Sequence, residues 1–221
     1  METWGDFYEA IKFEINKGDQ FKDLIPEKTF QALRAIEQNW TYRWMDTNVA
    51  TLQIDLASEN PQVLTLPLGL KEIKSIKLIS PNGGPAKNLV EINPEDFVPD
   101  VDGTPAGYFI QSGKFLWLDK NPNEAYKVHL VYSKFTLKAE MDESLSHLIL
   151  ENGASCLLAA TMMNIAPTAR EPSWLETYSP IYQTGLHTLH VWDEESRMSD
   201  NEVIFGGGGG DAYGRELQNG D

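Results

Sequence analysis

The spacing of apolar residues changes twice along this chain, and that double change limits the folds open to it. From Trp4 to about Met45, large apolar side chains recur at steps of three and four, the spacing of one helix face. Between about Ala50 and Phe135 the step shortens to two, the spacing of a half-buried strand. After Lys138 the helical step returns. Helices that precede and follow a strand-rich stretch predict an α+β chain rather than alternating βα units.

In the first stretch, Phe7, Ile11 and Ile15 fall four residues apart with Tyr8 beside them. They predict a short amphipathic helix over Trp4 to Ile15, closed by Gly18. Pro26 marks the next boundary, and Phe30, Leu33, Ile36, Trp40 and Trp44 predict a second helix from about Glu27 to Met45. In the middle stretch, Val63 to Leu66, Leu70 to Ile79, Tyr108 to Ile110, Phe115 to Leu118 and Tyr126 to Tyr132 read as strands. Gln111-Ser112-Gly113-Lys114 reads as a hairpin connection, and Ser80-Pro81-Asn82-Gly83-Gly84-Pro85 as a turn. In the last stretch, Met141 to about Ile165 predicts a helix capped by Asp142 or Ser144. Its Gly153-Ala154-Ser155-Cys156 centre is small enough to let another helix approach closely. Pro167 and Pro172 bracket a turn, and a final helix is predicted from about Pro172 to Glu195, broken or kinked near Pro180. The expected fold class is therefore α+β: mainly an α-helical bundle of about four helices, with an inserted small antiparallel β unit and an extended C-terminal tail. The expected domains are a helical bundle over 1–49 and 137–195, a β insertion over 50–136, and a Gly-rich arm over 196–221.

Charge bears on partners. The 221 residues hold 33 acids against 18 lysines and arginines, a formal net charge of −15. The basic residues are scattered, whereas duplex binders cluster them against phosphates. Sequence-driven nucleic-acid binding is not expected. The one cysteine excludes an intramolecular disulfide and a cysteine-rich zinc site. No apolar run reaches membrane-spanning length, and the N-terminus has no signal-peptide pattern, so a chain soluble in the cytoplasm is expected, with no membrane partner.

Each arrangement that could carry chemistry has a plainer reading. His187 and His190 stand three apart on a helix, but neither a cysteine nor a further histidine–carboxylate set completes a metal site. Asn82-Gly83-Gly84-Pro85 lacks the Lys-Ser/Thr ending of a phosphate loop. Gly206 to Gly210 lacks the strand-loop-helix setting of one. Cys156 could pair with His147 or His190, but it lies in the most apolar part of a helix, where a thiol is an inert hydrophobe. No catalytic residue, metal ligand or cofactor is expected. The aromatics Trp40, Trp44, Trp174, Tyr178 and Trp192 read as bundle core. Trp44, Trp174 and Trp192 are also candidates for a subunit interface, where aromatics are enriched.

Several stretches resemble the head-to-tail adaptor (connector) family of tailed bacteriophages, in its variant with a β insertion. Phe7-Tyr8-Glu9-Ala10-Ile11 through Asn16-Lys17-Gly18-Asp19 resembles that family's opening helix and its end. Ile25-Pro26 with Ala32-Leu33-Arg34-Ala35-Ile36-Glu37 resembles its second helix, with some of the usual arginines missing. Leu66-Pro67-Leu68-Gly69-Leu70-Lys71-Glu72-Ile73 resembles its entry to the sheet, without the usual acid and aromatic. Tyr108-Phe109-Ile110, Phe115-Leu116-Trp117-Leu118, Asn121-Pro122 and Val131-Tyr132 resemble its closing hairpin. The likeness spans about residues 4 to 195 and includes the Leu145 to Ala160 and Trp174 to Tyr178 helices.

The resemblance implies a non-catalytic structural virion protein located in the neck, between capsid portal and tail. It implies a homo-oligomeric ring, a dodecamer, beneath the portal protein. Such a ring extends the DNA channel, lets DNA pass without specific binding, and gives the tail or nozzle protein its platform. It also implies that the C-terminal segment docks on the portal or a neighbouring subunit. The arm candidates are Val203, Ile204, Phe205, Gly206, Gly210, Tyr213, Arg215 and Leu217. The stretch after Trp192 carries eight acids and two arginines, which suits a wall that repels passing DNA. Two other readings stand beside this one: another neck or tail-completion component or β-rich surface-binding module, and a small hydrolase, for which the sequence offers no clustered catalytic set.

Overall fold

The computed structural model describes residues 1–16, 18–46, 48–98 and 101–206, with 18–19 and 199–206 described as backbone. The chain divides into two units. One comprises 1–36 and 141–221, the other 37–140.

The first unit is helical. Helix α1 (Trp4–Ile15) starts at a capping box: Thr3 accepts from the Asp6 amide, and the Asp6 carboxylate accepts from the Thr3 amide. It ends at Asn16, whose left-handed φ of 48° turns its N–H back onto the Lys12 and Phe13 carbonyls. The cap is thus two residues ahead of the expected Gly18, because asparagine also tolerates this conformation. Trp4, Phe7, Ile11 and Ile15 are its buried face. Helix α2 (Ile25–Asn39) buries Ile25, Ala32, Leu33 and Ile36. It stops short of Met45, since Trp40-Thr41-Tyr42 are weaker helix formers than the residues before them. Trp44 then sits in a 3-10 turn, Arg43–Met45.

The helix expected over Met141 to Ile165 is two helices. The chain from 141 to 147 is not helical: Asp142 accepts from the amide and hydroxyl of Ser144 in a local turn. His147 caps α3 (Leu148–Asn152), its Nδ1 accepting from Ile149 N at 3.2 Å. Gly153 separates α3 from α4 (Ala154–Ala169), which buries Cys156, Leu157, Ala159, Thr161, Met162, Ile165, Ala166 and Ala169. Pro167 lies inside the last turn of α4 rather than in a loop. Helix α5 (Ser173–Gly206) continues through Pro180 without a break and runs past the expected end at Glu195.

The second unit is built on two four-stranded sheets and a two-stranded one. The first is ordered β1 (Asn48–Gln53), β10 (Lys127–Lys134), β3 (Leu70–Ile79), β4 (Lys87–Asn88), and its neighbours all run antiparallel. The second is ordered β2 (Val63–Thr65), β8 (Phe115–Leu118), β7 (Gly107–Gln111), β5 (Val90–Glu91). The third pairs β6 (Asp102–Gly103) with β9 (Asn121–Pro122). The β7–β8 hairpin turns at Ser112 and Gly113, with φ of 55° and 64°, the two positive angles of a type I′ turn. Ile76, Leu78, Val128, Leu130 and Tyr132 of the first sheet share one apolar core with Leu64, Tyr108, Leu116 and Leu118 of the second.

These elements correct the expected architecture. Among the described residues the chain is α+β with five α-helices and ten strands in three sheets. It is not mainly a four-helix bundle carrying a small β unit. Nor is the β unit purely antiparallel, because β5–β7 and β6–β9 are parallel pairs. The extended tail is also overturned at its start. Val203, Ile204, Phe205 and Gly206 are helical in backbone as the end of α5. Gly210, Tyr213, Arg215 and Leu217 lie outside the described residues.

Candidate functional site

In the second unit the carboxylate of Glu37 is wholly buried in the last turn of α2 and accepts several hydrogen bonds. Thr136 donates to it twice, from its amide (3.1 Å to Oε2) and from its hydroxyl to Oε1. The indole Nε1 of Trp44 donates to Oε1 at 3.0 Å. Trp44 is itself fixed by its ring stacking on Tyr42, with centroids 4.3 Å apart and planes 3° from parallel. Lys71 of β3 places its ammonium on the Glu37 and Trp40 carbonyls at the end of α2, where the helix dipole favours a cation. Burial pulls the Lys71 pKa below its ordinary value, and the charges of Glu37, Glu72 and Asp46 oppose that shift. A buried charge requires such satisfaction. The cluster ties the end of α2 to β3 and to the segment after β10, and Trp44 serves that purpose while remaining half-buried.

In the first unit α4 and α5 cross closely, as the small residues of α4 predict. A methyl group at Gly185 would stand 2.9 Å from Cβ and 3.0 Å from Cα of Cys156. One at Gly153 would stand 2.9 Å from Leu189 Cδ1. Beside this crossing runs a groove of about 410 Å³ lined by Asn152, Ser155, Pro180, Ile181, Thr184, Gly185 and Thr188. Between Ser173 and Met198, α5 fully buries only Leu189 and Asp193. The Asp193 carboxylate accepts from Arg197 Nε at 2.9 Å. Trp174 and Trp192 are both half-buried. Eighteen residues separate them, which is five helical turns and about 27 Å, so they share one side of α5. The structure thus brings two of the three candidate interface aromatics onto one helix side, and Trp44 belongs to the other unit.

The residues weighed for chemistry have structural surroundings. Cys156 is fully buried, and burial alone pushes its thiol up to about 12, the opposite of an activated thiolate. Its Sγ lies 3.8 Å from the Tyr182 carbonyl. His147 caps α3 and lies 5.6 Å from the Trp4 ring. His187 is exposed and His190 half-buried, and among the described residues no group of three or more His, Cys, Asp or Glu converges as metal ligands.

No family model matches this sequence, and no curated protein matches it.

Proposed function

We propose that this chain is a ring-forming structural subunit of a tailed-bacteriophage neck, an adaptor that joins portal to tail. The observation that carries the reading is the way the helical unit is made: it draws on both ends of the chain, 1–36 and the residues from 141 on, while 37–140, between them in sequence, form a unit of their own. That is the element order implied by the resemblance of residues 4 to 195. Two further features support it. Helix α5 leaves most of its length half-buried or exposed, with Leu175, Ile181 and Val191 each near two-fifths exposed and Trp174 and Trp192 on one side. Such a surface suits contact with other subunits. The excess of acids suits a channel wall along which DNA slides without being held. In this reading the ring is a dodecamer, its partners are the portal protein above and the tail or nozzle protein below, and it turns over no substrate.

Reconstruction of the neck of purified particles tests the proposal. The expected density is a twelve-fold ring of this chain between portal and tail tube. Finding the chain instead at the tips of the tail, bound to a surface ligand, would favour the β-rich binding module. Finding it in no particle would end the virion reading.

A further inference from the structure

A sheet edge is a row of backbone donors and acceptors without partners, and proteins keep such edges short, charged or interrupted by proline. The two four-stranded sheets of the second unit have four edges, and three are short: β4 and β5 have two residues each and β2 has three. The fourth, β1, has six, Asn48-Val49-Ala50-Thr51-Leu52-Gln53. It contains no charge and no proline, and its pairing with β10 is regular throughout, without a bulge. The chain carries a formal net charge of −15, so most approaches of one copy to another set acids against acids. An uncharged edge of this length avoids that conflict.

Register identifies the groups this edge offers. Ile54 N donates to Tyr126 O at 3.2 Å, so the residues that exchange hydrogen bonds with β10 continue at Leu52, Ala50 and Asn48. The N–H and C=O groups of Val49, Thr51 and Gln53, which alternate with them, point away from β10. Among the described residues β10 is the one strand paired with β1, and these three residues make no other backbone bond. Their side chains are exposed, Val49 to 56%, on the face that also carries Val131, His129 and Lys127 of β10. On the opposite face, Ala50 and Leu52 pack on the core yet stay only partly buried.

We propose that β1 pairs with β1 of a second copy, antiparallel about a two-fold axis at Thr51, so that two four-stranded sheets join into one of eight strands. A ring contact sets one surface of a subunit against a different surface of the next, whereas this contact is self-complementary and closes at two copies. It is a separate surface, and it does not rest on the ring reading. With Thr51 opposite Thr51 of the second copy, Val49 falls opposite Gln53 and Ala50 opposite Leu52. The outward groups of Val49, Thr51 and Gln53 are then all used, in about six hydrogen bonds, two for each facing pair. A slide of two residues either way drops Val49 or Gln53 off the end of the strand. The side chains fit this register. Threonine opposite threonine is a favourable cross-strand pair, and alanine faces leucine beside it. In the next row Val49 lies beside the methylene stems of Gln53 and Lys127 of the second copy, which cover its apolar surface. The Lys127 ammonium groups of the two copies stand three strand spacings and four residues apart, about 20 Å, well beyond the screening length of about 8 Å.

A pairing of about five residues a side is small for an interface and belongs to the weak class, so a dissociation constant in the micromolar range is expected. Sedimentation of the full chain from about 10 µM to about 1 mM is expected to show a dimer that grows with concentration. Over the same range, hydrogen exchange at the amides of Val49, Thr51 and Gln53 is expected to slow at least about 3-fold. A chain that stays monomeric to the top of that range overturns the proposal. So does an oligomer in which the three amides exchange as fast as in the monomer. Protection that does not change with concentration assigns the edge to its own chain, and protection that needs an added protein assigns it to a foreign strand; both overturn it. Thr51→Lys sets two ammonium groups against each other on the axis. The side chain is exposed, so the dilute variant is expected to keep its circular dichroism and melting temperature, while dimer dissociation rises at least about 10-fold. Thr51→Glu is expected to do the same, and an equimolar mixture of the two variants to dimerise at least as well as the wild type. If either folded variant dimerises normally, or the mixture does not recover, the pairing at Thr51 is refuted. Rings that assemble from Thr51→Lys as from the wild type support a separate surface, whereas loss of rings together with dimers places β1 in the ring contact and overturns the two-fold one. If no ring forms from any chain, the ring reading fails and the dimer measurements decide this proposal by themselves.

Discussion

Replacing the Glu37 carboxylate removes the acceptor for at least three donors at once, the Thr136 amide, the Thr136 hydroxyl and the Trp44 indole. Each hydrogen bond to a charged group is worth about 1.5–3 kcal/mol, and each donor left buried without an acceptor costs about 1–3 kcal/mol. Such terms overlap, so Glu37→Ala is expected to lower unfolding free energy by about 3–5 kcal/mol, the range for breaking a buried polar cluster. Thr136→Val and Trp44→Phe each delete one donor while nearly keeping shape, and each is expected to cost about 1.5–3 kcal/mol in the wild type. The Tyr42–Trp44 stack has centroids 4.3 Å apart, and phenylalanine preserves it. The sharper expectation concerns coupling. In the Glu37→Ala background the acceptor is already gone, so Thr136→Val and Trp44→Phe lose most of their cost. Urea unfolding of the single and double variants, followed by circular dichroism, measures these terms. If the costs add without coupling, or if Glu37→Ala shifts stability by less than about 0.5 kcal/mol, the carboxylate is not what holds the end of α2.

At the α4–α5 crossing, Gly185→Val forces the helices apart against the Cys156 backbone and is expected to cost about 1–3 kcal/mol by overpacking, read as a drop in melting temperature. At the β7–β8 turn, Ser112→Asn supplies the residue preferred in the left-handed position before Gly113 and is expected to raise stability by about 0.5 kcal/mol in urea unfolding. High pH is expected to unfold the helical unit preferentially. Burial raises both the Cys156 thiol and the Tyr8 phenol to about 12 in the fold, Tyr8 with help from Glu143 and Asp142. Their neutral forms are thus favoured by folding. That stability is complete below about pH 8 and is lost as pH climbs through the ordinary thiol and phenol values towards 12. Cys156→Ala should lose less stability than the wild type between pH 8 and 11, measured by urea unfolding at each pH; equal losses would show that the thiol does not contribute.

Where side chains on one face decided the structure, the sequence was legible. Phe7, Ile11 and Ile15 define α1, and the alternation from Leu70 to Ile79 and around Tyr132 defines β3 and β10, because burial of one face sets both the period and the element. Strand β1 escaped notice because Asn48 to Gln53 has few large apolar residues; it is a strand chiefly through its ladder to β10. Two-residue strands such as β6 and β9 are likewise fixed by tertiary pairing and leave no periodic trace. The helix expected over Met141 to Ile165 failed for a different reason. Apolar residues continue through it, but Asp142 and Ser144 hydrogen-bond locally and His147, a residue not usually read as a cap, supplies the start of α3. Local polar competition overrode the pattern.

Glu37 illustrates how a polar side chain on an apolar stripe can be read. It follows Leu33 by four residues and precedes Trp40 by three, so a continuous helix would bury it with them. A buried carboxylate needs donors from elsewhere in the chain, and the spacing alone therefore announces a partner without saying which. The carboxylate's donors, Thr136 and Trp44, lie ninety-nine and seven residues away in sequence, while Lys71, thirty-four residues away, donates to the Glu37 backbone carbonyl. Hydrogen bonding there joins the first residues of the 37–140 unit to the segment near its end, at one junction within that unit. Loss of the carboxylate should accordingly loosen amides on both sides of the junction, at Trp40 and at Phe135 to Leu137, before those in the centre of β10. Hydrogen exchange that rises uniformly through the β unit instead would mean that the junction and the sheets open as one cooperative block.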